Sequence, residues 1–249
     1  MSAIKNNPAI ILVQPQMGEN IGASARAMGN FGLTDLRIVA PRDGWPNQEA
    51  ERNASGAFEN AGVSASVFET LEEAIADLHT VLATTARPRD MVKDVYTPQS
   101  AACEIQKHIN LRTGLVFGGE RAGLSNDHIA LCHGIITIPT NPGFSSLNLG
   151  QSVLLVCWEW FRANDVTPEH TMTTGDSAPA TQDKLEEFFT RLENELEDGK
   201  FFKARDLKPT MVRNIRTMLL RARLTDQELR TFHGIISALI GKKKPPDNQ

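Results

Sequence analysis

The chain has 249 residues, 41% hydrophobic and 22% charged, enough apolar material for one sizeable core plus an appendage. No apolar run reaches the roughly 20 residues that cross a bilayer, and Met1–Pro8 lacks the apolar stretch of a secretory signal, so the expected location is the cytoplasm. Three widely spaced cysteines, Cys103, Cys132 and Cys157, do not form a disulfide framework. Neither they nor the six histidines have metal-ligand spacing, so no metal is expected.

The net charge of −4 conceals an asymmetry. Residues 200–249 carry 12 basic and 4 acidic side chains, whereas residues 1–199 carry 14 and 26. A basic tail on an acidic body fits a polyanionic partner, and equally a solvated helix balanced by acidic neighbours.

In chain order, Ala9–Val13 reads as a strand, and the alanine-rich Glu19–Phe31 reads as a helix stopped at Gly32. Leu36–Ala40 and Ala65–Phe68 are further strands. Leu71–Leu78 has helical spacing and leads into a strand at Val81–Ala83. Leu115–Phe117 and Ile135–Ile138 are two more strands, and Leu149–Phe161 is a long apolar helix. Strands alternating with helices predict an α/β domain, residues 1–164, whose parallel sheet is covered by helices on both faces. Residues 165–182, poor in large apolar side chains, read as a linker. Lys184–Leu196, Pro209–Arg221 and Thr225–Ile240 then form a small all-helical C-terminal extension over residues 183–249.

Three loops follow strands, beyond the carboxyl ends where open α/β folds bind ligands. They are Gln14–Arg26, containing Asn20-Ile-Gly22-Ala-Ser-Ala-Arg26, then Gly118-Gly-Glu120-Arg-Ala-Gly-Leu124, then Pro139-Thr-Asn-Pro-Gly-Phe-Ser145-Ser-Leu-Asn148. Singly, each has a structural explanation. Asn20 suits a helix N-cap, and Gly22 and Ala25 suit close helix packing. Arg26 could pair with Glu19, and Ser146 or Asn148 could cap the next helix. The spacing around Gly118 does not match a dinucleotide-binding fingerprint.

Together and in this order, the three segments resemble the signature motifs of the SPOUT methyltransferase superfamily, in particular its tRNA (cytidine/uridine-2′-O)-methyltransferases. The resemblance also covers Gly32–Leu36, Ala83–Arg87, Arg221-Ala-Arg223 and Gln227-Glu-Leu229. It implies a C-terminal trefoil knot, which physical reasoning alone would not suggest. It implies a homodimer with the active site at the interface. It implies an S-adenosylmethionine pocket from Thr84, Thr85, Ala86, Gly118, Ile138, Ser145, Ser146 and Leu147. The implied substrate is tRNA, at the ribose 2′-hydroxyl of nucleotide 32 in the anticodon loop. A ribosomal RNA site, another tRNA position, or a non-catalytic RNA-binding relative are the alternatives.

Methyl transfer from a sulfonium to an alcohol is an in-line displacement. It needs the hydroxyl oxygen held in line and its developing charge stabilised. Arg26 is the expected critical side chain. It is too weakly acidic to serve as a base, but suits anchoring an RNA phosphate and favouring the alkoxide. Ser146 and Asn148 are expected to orient the ribose. Glu120 either positions Arg26 or substrate, or pairs with Arg121. Asn20 either supports the same loop or caps its helix. Arg213, Arg216, Arg221 and Arg223, with Lys203, Arg205 and Lys208 nearby, are candidate RNA contacts. Tyr96 and Trp45 are candidates for base stacking or for packing.

Overall fold

The computed structural model describes residues 7–87, 91–171, 173 and 175–241. Two compact units emerge, Met1–Thr167 and Pro168–Gln249.

The first unit is built on seven strands: β1 (Ala9–Val13), β2 (Asp35–Val39), β3 (Ser64–Phe68), β4 (Thr80–Thr84), β5 (Asp94–Tyr96), β6 (Thr113–Gly118) and β7 (Gly134–Ile136). They pair in parallel throughout, in the order β3-β2-β1-β6-β4-β7-β5. Helices α1 (Gly18–Asn30), α2 (Gln48–Ala54), α3 (Ala57–Asn60), α4 (Leu71–Ile75), α5 (Pro98–Lys107), α6 (Asn126–Ala130) and α7 (Leu149–Arg162) connect them. The centre of the sheet is buried on both faces, which is why β1 is an unbroken apolar run and not an alternating one. Ile10 and Leu12 belong to the core under α1, α2, α5 and α7, while Ile11 and Val13 belong to the core under α4 and α6.

Six strands and the principal helices follow the sequence pattern. The last of those strands is shorter than expected, ending at Ile136, and the peptide beyond it enters the loop that carries the third motif. The edge strand β5 and the helices α2, α3, α5 and α6 are additions. Arg37 departs from the apolar pattern of β2. It is buried, donates to the Ala74 carbonyl, and is clamped by the carboxylates of Asp35 and Asp77. Both carboxylates hold its guanidinium protonated against the opposing effect of burial, and Asp77 is correspondingly held below the usual carboxylate range.

The second unit contains α8 (Gln182–Asp198), α9 (Lys208–Arg221) and α10 (Asp226–Gly241). Leu185, Phe188 and Phe189 of α8 meet Leu229 and Ile236 of α10 in a separate small core. The segment expected to be wholly linker is partly built into this unit. Ala180 donates to the Leu224 carbonyl at 2.9 Å, and Asp226 to the Ala178 carbonyl at 3.0 Å. Backbone pairing, not apolar side chains, fastens it there, so composition gave no sign of it.

Candidate active site

Because all strands run the same way, the C-terminal ends of β4, β6 and β7 lie side by side. Thr84 is in register with Phe117 and with Ile136. The loops leaving these ends enclose a cleft of about 210 Å³, open on one side. Thr84, Thr85, Ala86, Gly118, Ile138, Ser145, Ser146 and Leu147 all line it, as do Arg87, Glu120 and Arg121. The Thr84 hydroxyl oxygen is buried with no hydrogen-bond partner among the described residues. An unpaired buried hydroxyl is costly, and Thr84 is one of the residues lining the cleft.

Gly118 has a different reason for being glycine than cofactor approach alone. A Cβ there would lie 2.2 Å from the Gly123 carbonyl carbon and 2.3 Å from the Leu124 nitrogen. The second-motif loop folds back on itself, and Gly123 N–H donates to the Gly119 carbonyl at 2.9 Å. Gly118 therefore shapes the cleft wall by permitting that fold.

The three motifs are joined by side-chain hydrogen bonds. Glu120 accepts from the Gln16 N–H at 2.8 Å, the Met17 N–H at 3.3 Å and the Asn20 Nδ2 at 2.6 Å. Asn20 Oδ1 accepts from Asn148 Nδ2 at 2.8 Å. Asn148 Oδ1 accepts from the Gln151 N–H at 3.3 Å, capping α7. Glu120 thus pairs neither with Arg121 nor with Arg26. It supplies negative charge at the start of α1, where the helix dipole favours it. Asn20 is not an N-cap either, since Met17 occupies that position and Asn20 is two residues inside the helix.

Arg26 projects from α1 and is exposed, and it is not among the residues lining the cleft of its own chain. It makes no ion pair with Glu19. Its Nη1 donates to Ser55 Oγ at 3.2 Å. Ser146 lines the cleft, whereas Asn148 lies behind it in the hydrogen-bonded chain. Tyr96 and Trp45 are partly buried against the main core, Trp45 edge-on to Phe58, so both pack.

In the second unit, Arg213 lies on α9 with Nη2 donating to Thr210 Oγ1, Arg221 is exposed at the end of α9, and Arg223 is exposed in the turn before α10. Arg216 is otherwise engaged. It donates to Glu193 at 2.6 Å and Glu186 at 2.7 Å, and lies 5.1 Å over the Phe189 ring. These carboxylates raise its pKa further, and the contacts make it a strut between α8 and α9. Lys208 pairs with Glu197 at 2.5 Å. Among the described residues, no group of three acidic, histidine or cysteine side chains could hold a metal, and no helix is long and apolar enough to cross a membrane.

A parallel sheet of this order, with a cleft framed by the loops after β4, β6 and β7, matches the fold of SpoU methyltransferase structures. The chain belongs to the SpoU rRNA Methylase family, whose model matches residues 7–158. It is similar to the tRNA (cytidine/uridine-2′-O-)-methyltransferase TrmJ of Citrobacter koseri, with 35% identity over 96% of this chain and 98% of that protein. It is also similar to the crystal structure of TrmJ from Z. mobilis ZM4, with 48% identity, a TM-score of 0.82, and coverage of 94% of this chain and 99% of that one. A probable methylase family protein from Haemophilus influenzae Rd KW20 matches at 31% identity and a TM-score of 0.60, over 95% and 97% of the two chains.

Proposed function

We propose that this protein transfers a methyl group from S-adenosylmethionine to the ribose 2′-hydroxyl of cytidine or uridine at nucleotide 32 of tRNA. The observation that carries the reading is that the second and third motifs line one cleft, with the first motif hydrogen-bonded to them through Asn20, Glu120 and Asn148. Similarity along nearly the full length to proteins named for tRNA 2′-O-methylation supports the substrate class. The description of the matched family favours a second reading, a ribosomal RNA substrate.

Thr84, Thr85, Ala86, Gly118, Ile138, Ser145, Ser146 and Leu147 would hold the cofactor, which supplies an electrophilic methyl group when bound. The protein's own residues then place the nucleophile. Ser146 orients the ribose, with Asn148 fixed behind it, and Arg26 anchors a phosphate and stabilises charge developing on the 2′-oxygen. Since Arg26 does not line the cleft of its own chain, it would serve the cleft of a second copy. The face that would form the dimer contact is on α1 and α7. There Leu154, Leu155 and Trp158 are exposed, and Trp158 and Phe161 gather around Phe31. Such an apolar patch suits burial in a homodimer.

The same reading includes the trefoil knot, with which the strand order is consistent. It includes tRNA contacts by Arg213, Arg221 and Arg223 of the helical unit, and a cytoplasmic location. The test is mass spectrometry of nuclease-digested tRNA after incubation with S-adenosylmethionine, with and without the protein. A 2′-O-methylated nucleoside confined to the fragment containing nucleotide 32 is expected. Methylation only of ribosomal RNA would favour the second reading.

A further inference from the structure

We propose that Ser55 is a positioning residue for Arg26. This rests on the role given to Arg26 above. Ser55 ends α2 in the left-handed backbone region, with φ 50° and ψ 43°. That conformation suits glycine and is unfavourable for a serine. Gln14, Ala40, Lys200 and Arg223 share it, so the side-chain hydrogen bond to Arg26, and not the backbone alone, marks Ser55. Ser55 Oγ accepts from Arg26 Nη1 at 3.2 Å.

The packing of α1 on α2 sets this distance. A Cβ on Gly22 would lie 2.3 Å from the Ala50 carbonyl oxygen and 2.9 Å from the Ala54 nitrogen, so the two backbones touch there. One turn further along α1 is Arg26, and the residue after Ala54 is Ser55. The spacing between Gly22 and Arg26 in the first motif acquires a physical meaning. Glycine seats α1 on α2, and the arginine of the next turn then falls beside the end of α2.

The chemistry of the acceptor also fits. Arg37 and Arg216 are each held by two carboxylates, which neutralise them locally. A hydroxyl engages one of five guanidinium N–H donors and contributes no charge. Arg26 is thereby steered while its positive charge stays available to an RNA phosphate.

The experiment is a double-mutant cycle on the full chain with Arg26→Ala, Ser55→Gly and both together. It follows turnover on tRNA, S-adenosylmethionine affinity by calorimetry, and thermal unfolding. Ser55→Gly suits the local backbone, so its unfolding temperature should equal or exceed wild type and its cofactor affinity should be unchanged. Its turnover should fall by about 5- to 10-fold at saturating substrates, as for a displaced catalytic group. Added to Arg26→Ala, it should cause no further loss. Wild-type turnover in Ser55→Gly, or a further loss in the double variant, would overturn the proposal. If Arg26→Ala itself turns over like wild type, the reading of Arg26 fails and this proposal falls with it. An inactive Arg26→Ala beside a fully active Ser55→Gly would overturn the Ser55 role alone.

Discussion

Asn148 Nδ2 donates to Asn20 Oδ1 at 2.8 Å across 128 positions of sequence, and this bond joins the first motif to the third. Asn20 can accept there because its Nδ2 already donates to Glu120, which fixes the orientation of its amide. Two helix N-termini from distant parts of the chain therefore share one polar register. Substitution of Asn20 by Asp removes the donor toward Glu120 and sets two carboxylates in contact. One of the pair must then hold a proton in the folded state, with a pKa above its unfolded value. Such a group stabilises the fold below its unfolded pKa, and that contribution is lost as pH rises through the folded one. Thermal unfolding should show a deficit for Asn20→Asp of about 1–3 kcal/mol at pH 8, shrinking at pH 5. A deficit independent of pH would contradict the contact.

The second-motif loop leaves no room at Gly118. Gly118→Ala should destabilise the protein by about 1–3 kcal/mol through overpacking and weaken cofactor affinity. Gly143 in the third-motif loop is different. An added Cβ would meet only Asn141 Oδ1, at 3.5 Å, so Gly143→Ala should change stability little. Paired denaturation curves and calorimetric titrations check both, and equal effects at the two positions would refute the distinction.

Arg213 and Arg216 are three residues apart on α9 yet have separate expected roles. Arg216→Ala removes the strut to Glu186 and Glu193 and should lower the unfolding temperature of the helical unit. Arg213→Ala should leave unfolding unchanged, weaken tRNA binding, and reduce its salt dependence by roughly one counterion. Removal of the unit from Pro168 onward should weaken tRNA binding far more than cofactor binding. The readouts are scanning calorimetry and tRNA binding at several salt concentrations.

The cysteines offer a check on the core. Burial pushes the Cys157 thiol up to about 12 and the Cys132 thiol up to about 11, while Cys103 is exposed. The thiolate is the reactive form, so raised pKa and burial both protect the first two. Iodoacetamide at pH 8 should modify Cys103 alone in the native protein and all three cysteines in denaturant. Peptide mapping reads the sites.

The strands were legible because a sheet covered on both faces needs unbroken apolar runs such as Ala9–Val13. The residues that line the cleft were legible as a set because the motifs occur in a recognisable order. Other features left no local trace. β5 is a three-residue edge strand whose Val95 is 64% exposed, so it carries no apolar run. The strand order, with β6 beside β1, is a property of long-range pairing. The roles of Glu120 and Asn20 could not be chosen from spacing, since the partners lie about a hundred residues apart. Ser55 could not be found at all, because its hydrogen bond to Arg26 exists only in the folded chain.

Arg26 does not line the cleft of its own chain, and subunit mixing tests whether it meets the cleft of a second copy in a dimer. One protomer carries Arg26→Ala and the other a blocked cleft, Ala86→Trp, chosen because Ala86 is exposed on the cleft wall. Each homodimer should be inactive. In a mixed dimer, one site combines an intact Arg26 with an intact cleft, so free exchange should restore about a quarter of wild-type turnover. Turnover no greater than the sum of the two homodimers, with exchange confirmed by differently tagged subunits, would contradict a shared site.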